Sequence, residues 1–123
     1  MIARLVADYL EDPDPDWEAA WVAELDGERV GSVYCVRRSP EVAQLRLLFV
    51  DSEARGHGVG RLLVERCIDF ARERGYKRMM LSTVSPLDSA RRIYEAEGFR
   101  QTKEEPDPAF PEGTLAQQMW LDL

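Results

Sequence analysis

Residues 48–61, LFVDSEARGHGVGR, decide the fold, because they join an aliphatic segment to an amphipathic one through a glycine-rich turn. Upstream, Val42 to Val50 is rich in aliphatic residues and ends at Asp51, which predicts a central strand covered on both faces. Downstream, apolar residues at helical spacing predict a helix that runs to about Arg74 and stops at Gly75. A strand, a glycine loop and a helix in this order create an anion site at the helix N-terminus.

The loop contains three glycines in five residues, Gly56, Gly58 and Gly60. Because glycine has no Cβ, such a loop can turn sharply and let a phosphate approach the main chain. Arg55 and Arg61 can add positive charge beside it. The alternative, a tight strand-to-helix turn with no ligand, stays open on this evidence alone.

Two other nucleotide-binding loops fit the sequence less well. A triphosphate-binding loop requires Lys followed by Ser or Thr after its last glycine, and no such pair is present here. A dinucleotide fingerprint requires a glycine where Arg61 stands, and an acidic residue about twenty positions on, where Leu81, Ser82 and Thr83 stand. A dinucleotide-binding oxidoreductase fragment therefore remains the weaker alternative.

The segments before residue 42 predict a helix and a hairpin. Apolar residues at helical spacing predict an opening amphipathic helix, which the acidic, proline-broken stretch 12–16 ends. Asp26-Gly27 is a strong two-residue turn signal between strands at 18–25 and 29–37. The helical positions are Ile2, Leu5, Val6, Tyr9 and Leu10.

The segments after residue 75 alternate between strand and helix. A strand at 79–83 ends at the break Ser85-Pro86, and a second helix is closed by Gly98. Two further strands, at 99–103 and 115–121, flank a loop at 106–113. The whole chain, 1–123, is therefore predicted to be one domain with one core.

A second motif lies in that second helix, SARRIYEAEGF at 89–99. Together with Leu48-Phe49-Val50 and the run Arg55-x-x-Gly58-x-Gly60, it resembles the two signatures of the GNAT superfamily of N-acetyltransferases. The resemblance covers about residues 17 to 123 and looks especially like the acetyltransferase halves of fusions to MarR-type regulators. It implies an α+β fold, with a mixed, V-shaped central sheet flanked by helices.

The resemblance also implies acetyl-CoA as cosubstrate, lying in the opening beside the strand that ends at Val50. The main chain of Leu48 to Val50 would pair with the pantetheine arm, the glycine loop would hold the pyrophosphate, and an amide near Phe49 or Val50 would stabilise the oxyanion. The implied cofactor-binding residues are Leu48, Phe49, Val50, Arg55, Gly56, His57, Gly58, Val59, Gly60 and Arg61.

Acetyl transfer to an amine needs a neutral nucleophile, and a lysine-like amine of pKa about 10.4 costs roughly 4.6 kcal/mol to deprotonate at pH 7. The family often has a glutamate near the middle of the central strand, where this chain has Gln44, which cannot act as a base. Glu24, Glu41, Glu104 or a water chain are the substitutes that the sequence leaves open.

Tyr94 matches the family tyrosine whose hydroxyl approaches the CoA sulfur, so the resemblance implies a catalytic acid at this position. The alternative is a tyrosine that only packs with Ile93 and Phe99.

Leu87 is a second departure from the family pattern, after Gln44, because the family often has a CoA-contacting asparagine at this position. His57, the only histidine, is predicted to face solvent. Gln44 and Leu87 keep a second function open, an acetyl-CoA-binding regulatory module without efficient catalysis.

The composition limits the kinds of molecule that the protein is expected to bind. The net charge of −7 disfavours nucleic acid and mildly favours a cationic amine acceptor, although solubility alone also explains it. No apolar run is long enough to span a membrane, so no membrane association and a cytoplasmic location are expected. Cys35 and Cys67 lack metal-ligand spacing and are predicted to be reduced packing thiols, with no metal bound. The resemblance implies a strand and one or two helices before the hairpin, but few residues precede Trp17, so either the fold is a compact version or a partner chain supplies the missing wall of the acceptor site. With the apolar face of the predicted opening helix, this predicts a homodimer.

Overall fold

The computed structural model describes residues 2–5, 14, 16–54, 56–84, 88–106 and 112–123, with side chains described except at 2–5, 84, 88 and 89. In this part of the chain seven strands form one sheet, and two helices are present. The elements are β1 Ile2–Leu5, β2 Ala19–Leu25, β3 Glu28–Arg37, β4 Val42–Val50, a 3-10 turn Ser52–Ala54, α1 Val59–Arg74, β5 Arg78–Val84, α2 Asp88–Ala96, β6 Arg100–Pro106 and β7 Leu115–Asp122.

The sheet is mixed, with the strand order β1-β2-β3-β4-β5-β7-β6. Its one parallel pair, β4 with β5, is joined only at Val42–Arg78, Ala43–Met79 and Gln44–Met80. The other described neighbours are antiparallel. Beyond Gln44 and Met80 the two strands separate, and we call the resulting gap the fork. The predicted mixed, V-shaped sheet is confirmed.

The main core lies between the sheet and α1. One face of this helix is buried against β2, β3 and β4, and Trp21 meets Phe70 edge to face at 5.4 Å between ring centroids. Full burial of each such large apolar side chain stabilises the fold by roughly 1.5 to 3 kcal/mol. The helix ends as predicted, since Gly75 adopts φ 88° and its N–H donates to the Arg72 carbonyl at 3.1 Å.

The predicted opening helix is wrong for Ile2–Leu5, which forms strand β1. This segment pairs antiparallel with β2, from Ile2 opposite Glu24 to Leu5 opposite Trp21. The pairing satisfies the backbone groups on the facing edges of the two strands, and this tertiary gain overrides a helical pattern in so short a segment. The rest of the predicted helix, residues 6–10, lies outside the described residues.

Strand β4 is only partly covered, which corrects the prediction of a strand buried on both faces. Its first half is buried, whereas Leu47 is 65% and Phe49 60% exposed. The change occurs at Leu47, whose φ of 54° and the shifted β3–β4 register mark a bulge. The exposed half of β4 is the half that borders the fork.

The remaining elements follow the prediction with small shifts. The Asp26-Gly27 turn is confirmed, with φ values of 53° and 82° that suit a two-residue hairpin. Strand β6 extends through Pro106, which the sequence placed in a loop. Residues 107–111 of that predicted loop, and the Ser85-Pro86 break, lie outside the described residues.

Gly31 fixes the approach of β3 to the end of β4. A Cβ at this position would lie 2.7 Å from the carbonyl oxygen of Phe49 and 3.0 Å from side-chain atoms of Val59 and Leu63. A backbone oxygen cannot move without shifting β4, so we predict that Gly31→Ala lowers the free energy of unfolding by about 1 to 3 kcal/mol. Urea denaturation followed by circular dichroism measures it.

The matched control is Gly60→Ala, whose Cβ would meet Ile93 Cδ1, also at 2.7 Å. Here the contact is the end of a flexible side chain, and alanine is favoured over glycine in a helix by up to about 1 kcal/mol. We therefore expect a much smaller loss for Gly60→Ala. Equal losses in the two variants would contradict the role given to the Phe49 carbonyl.

Candidate active site

Asp51 organises the turn that leaves β4. Its N–H donates to the Val30 carbonyl at 2.7 Å, which ties the turn to the start of β3. Its carboxylate accepts a hydrogen bond from the Glu53 N–H at 3.0 Å, and the Asp51 carbonyl accepts one from the Ala54 N–H. Ala54 is buried, so the 3-10 turn anchors the loop that follows it.

Gly56 and Gly58 are required by backbone conformation rather than by lack of space. Their φ values are 88° and 74°, and a Cβ at either would meet no atom within 4 Å. Both are exposed, as is His57, in agreement with its predicted solvent-facing position. The open space above these glycines leaves the loop accessible to a ligand.

The start of α1 presents unpaired amides at this loop. Gly58 is the N-cap and supplies no side-chain hydrogen bond, and the first helical bond runs from the Leu62 N–H to the Gly58 carbonyl. Within the described part of the chain, no group accepts a hydrogen bond from the amides of residues 58–61. These donors and the positive end of the helix dipole favour an anion here.

Gly60 has a different role from the other two glycines. Gly60 is buried. A Cβ added to it would lie 2.7 Å from Ile93 Cδ1 and 3.5 Å from Val50 Cγ2. This glycine therefore lets α2 and the end of β4 approach α1. The sequence signal for the loop does not separate such a packing glycine from one that faces a phosphate.

Arg61 carries an exposed guanidinium that is already paired. Its Nε lies 2.9 Å from Glu65 and 3.7 Å from Glu97. Burial first, and then the neighbouring Glu65, raise the pKa of the Glu97 carboxyl, while Arg61 opposes this rise. The pairing links the first turn of α1 to the end of α2. Arg55, the other predicted cation, lies outside the described residues.

Leu48, Phe49 and Val50 lie on the β4 side of the fork. Leu48 and Val50 are half-buried and pack against the core, whereas Phe49 points away from it. Among the described residues, none pairs with the main chain of β4 on its β5 side beyond Gln44. A fork edge with unpaired peptide groups can hydrogen-bond an extended ligand, much as an added strand would.

Tyr94 lies on α2, is 5% exposed and packs edge to face on Phe99 with 5.9 Å between centroids. Burial first, and then the charge of Cys67, raise the pKa of Tyr94 to about 12. The phenol is therefore neutral at physiological pH and can donate a proton or hydrogen bond.

None of the three candidate bases lies on the strands that border the fork. Glu41 pairs with Lys77 at 3.2 Å, beside the start of β4 and at the closed end of the fork. Glu24 is on β2. Glu104, on β6, accepts hydrogen bonds from the side-chain amides of Gln117 at 2.7 Å and Gln101 at 3.1 Å. Gln44 itself occupies the last position at which β4 pairs with β5.

The described side chains include no group of three His, Cys, Asp or Glu residues that could hold a metal ion. No helix in the described ranges is both long and apolar enough to cross a membrane. Cys35 and Cys67 are both buried free thiols.

Comparison with known proteins assigns this arrangement to a family. The profile of the Acetyltransferase (GNAT) family matches residues 3–99, which include the fork, the glycine loop, α1 and α2. The chain belongs to the GNAT acetyltransferase family. The predicted family resemblance is thus confirmed, and it extends to β1, which the sequence interpretation left outside it.

Curated relatives of this GNAT chain carry acetyltransferase names. It is 36% identical over 111 residues to an N-acetylaspartate synthetase of Danio rerio, with 89% of this chain and 38% of that protein covered. It is 38% identical over 87 residues to the human N-acetyltransferase 8, with 67% of this chain and 38% of that protein covered. The GNAT chain therefore spans about two fifths of the length of these relatives.

Solved structures share the fold. An IAA acetyltransferase from Bacillus cereus ATCC 14579 superposes with a TM-score of 0.83 at 16% identity, and 99% of each chain is covered. A GNAT family acetyltransferase from Elizabethkingia anophelis, with acetyl-CoA bound, gives a TM-score of 0.79 at 17% identity and covers 99% of this chain and 97% of its own. The expected α+β GNAT fold is confirmed.

Two residues near the site were missed by sequence reasoning. Gly31 limits the position of the Phe49 carbonyl, and Glu97 holds Arg61. A glycine inside a strand is itself a signal of close backbone approach, so Gly31 could have been singled out. The pairing of Glu97 with Arg61 depends on how α2 packs on α1, and no local pattern encodes it.

The raised pKa of Tyr94 predicts a loss of stability in alkali. Above pH 10 the phenol ionises in the unfolded chain but stays protonated in the folded one, so the unfolded state binds fewer protons. The free energy of unfolding should fall by about 2 to 3 kcal/mol as the pH rises from 10 to 12. Tyr94→Phe should remove this part of the fall. Urea titrations at pH 8 and 11 test it, and equal pH dependence in both proteins would contradict it.

Proposed function

We propose that this GNAT chain transfers the acetyl group of acetyl-CoA to a primary amine of a small molecule or protein, by direct attack of the amine nitrogen on the thioester carbonyl. The observation that carries the proposal is the junction of an open strand edge at the fork with the unpaired amides that begin α1. The acetyltransferase names of the relatives, and the acetyl-CoA in the Elizabethkingia anophelis structure, support it.

In this proposal the main chain of Leu48 to Val50 pairs with the pantetheine arm, and Gly56 to Arg61 hold the pyrophosphate. These two contacts suit one extended ligand, because the exposed half of β4 is followed along the chain by the short 3-10 turn and then by the glycine loop. Phosphate groups would compete with Glu65 and Glu97 for the Arg61 guanidinium. The amides of α1 therefore carry most of the proposed phosphate contact.

The reaction joins the amine nitrogen to the acetyl carbon and breaks the bond from that carbon to sulfur. An amide at Phe49 or Val50 would donate to the developing oxyanion. Tyr94, neutral up to a pH near its pKa of about 12, would give a proton or hydrogen bond to the leaving sulfur. Because the described residues place no carboxylate on β4 or β5, water is the proposed carrier of the proton lost by the amine.

A regulatory module that binds acetyl-CoA without efficient catalysis is the second candidate. Gln44, in place of a basic carboxylate, is the observation in its favour. The names of the relatives favour the enzyme. A cytoplasmic location, the likeness to MarR-type fusion partners and the single domain stay predictions. So does the homodimer, although Ile2 and Leu5 of the apolar face on which it partly rested lie on strand β1.

Gly58→Ala tests the proposed phosphate contact. At φ 74° the added methyl costs about 1 to 2 kcal/mol of stability and projects into the open space above the loop. We expect acetyl-CoA affinity, measured by calorimetry, to fall at least tenfold. Gly27→Ala is the matched control, because its φ of 82° and empty surroundings impose the same strain away from the fork. Unchanged affinity in folded Gly58→Ala would reject the site.

Tyr94→Phe separates the enzyme from the binding module. The ring and its contact with Phe99 remain, so acetyl-CoA affinity should hold within a few-fold. Loss of the acid should lower kcat by roughly a hundredfold or more, since general acid catalysis contributes at least that much. The measurement is steady-state CoA release with chemistry shown to be rate-limiting. An unchanged kcat would remove Tyr94 from the mechanism and leave water as proton donor.

A further inference from the structure

The far face of the sheet, opposite α1, carries the side chains that an acceptor would meet at the fork. Along β4 the core residues Ala43 and Leu45 alternate with Gln44 and Arg46, so the latter two belong to the far face. Gln44 is at the last rung shared with β5. Arg46 is one step farther, roughly 7 Å along the strand, where the fork has opened.

Three guanidinium groups lie on this face, two at the closed end of the fork and one where it has opened. Arg38 Nη1 is 3.3 Å from the sulfur of Met80, the residue paired with Gln44. Arg78 Cζ lies 5.1 Å from the ring centroid of Trp120, which is opposite Met80 in the sheet. Arg46 is exposed and stands opposite Tyr34 of β3.

The described residues supply these cations with no ion-pair partner. In the described part of the chain, Arg38, Arg46 and Arg78 form no ion pair, although Asp122 is the register partner of Arg78. Arg100, opposite Trp120, adds a fourth cation on this face. The local charge is therefore positive in a protein whose net charge is −7. Arg46 is the member that borders the opened part of the fork.

This positive charge affects the amine of an acceptor and also any carboxylate that lies beside the amine. Positive neighbours disfavour an ammonium ion and lower its pKa, so they promote the neutral amine that attack requires and reduce the need for a base at Gln44. They also repel a polyamine. A carboxylate beside the amine would instead gain a two-pronged hydrogen bond from the exposed guanidinium of Arg46.

We propose that the acceptor is an amino acid, whose carboxylate Arg46 binds while its amine points into the fork. The inference rests on the proposed acetyl transfer and names its substrate class. The amine nitrogen bonds to the acetyl carbon, the carbon to sulfur bond breaks, and the proton lost by nitrogen balances the one that the thiolate gains. Arg46 determines specificity and takes no part in proton transfer.

The test compares amino acids with the amines left when their carboxylate is removed, leucine with 3-methylbutylamine and phenylalanine with 2-phenylethylamine. CoA release is measured for the whole chain at fixed, saturating acetyl-CoA, with spermidine as a cationic probe. We expect kcat/KM to favour each amino acid over its amine by at least tenfold. Arg46→Gln should raise KM for the amino acids roughly tenfold or more and leave their kcat nearly unchanged. For both bare amines kcat/KM should change by less than about threefold, because they lose only one of several positive neighbours and no carboxylate contact.

Compared with Arg46→Gln, Arg46→Lys should restore part of the preference for amino acids over their amines. Lysine keeps the positive charge but lacks the planar, two-pronged set of guanidinium donors. Arg66→Gln, an exposed arginine on α1, is the matched control and should behave as wild type. Acetylation of the bare amines or of spermidine in preference to amino acids would overturn the inference and leave the proposed function intact. Acetylation of none of these acceptors, by a chain that still binds acetyl-CoA, would overturn both.

Discussion

The rest of the structure depends on the short hydrogen-bonded contact between β4 and β5, which stops after three residue pairs. If the pairing continued, the peptide groups of Leu48 to Val50 would hydrogen-bond to β5, and no open strand edge would lead to the glycine loop. Because it stops at Gln44, the second half of β4 remains an edge inside the sheet. The bulge at Leu47 turns that half outward before it reaches the amides of α1.

Two kinds of glycine support this geometry in different ways. Gly56 and Gly58 supply backbone conformations that other residues adopt at a cost, and they leave space for a ligand. Gly31 and Gly60 instead remove side chains where β3 meets the Phe49 carbonyl and where α1 meets Ile93. The first pair shapes the proposed anion site, and the second lets β3 and α2 pack closely beside it. The four glycines therefore act in two different ways, two through their backbone conformation and two through the lack of a side chain.

Much of the fold could be predicted, because its signals are local. The Asp26-Gly27 turn, the end of α1 at Gly75 and the run from β4 into the glycine loop each depend on a few adjacent residues. The failures depend on distant contacts. Ile2–Leu5 became a strand because β2 offered it an edge, and half of β4 is exposed because β5 diverges. At the site, Arg61 was expected to be available, but the packing of α2 brings Glu97 to it. The separation of Glu24, Glu41 and Glu104 from the fork also required the strand order.

The three-pair contact has a consequence for the order in which the chain assembles. Strands β2, β3 and β4 pair in sequence order through connections of two and four residues, and β1 adds to β2 across residues 6–18. Pairing of β4 with β5 instead closes the long segment that contains α1, and few hydrogen bonds offset its loop entropy. Contacts between sequence-distant segments form slowly. The amino-terminal meander should therefore form early during synthesis, and the seam that defines the fork should be among the last parts of the sheet to close.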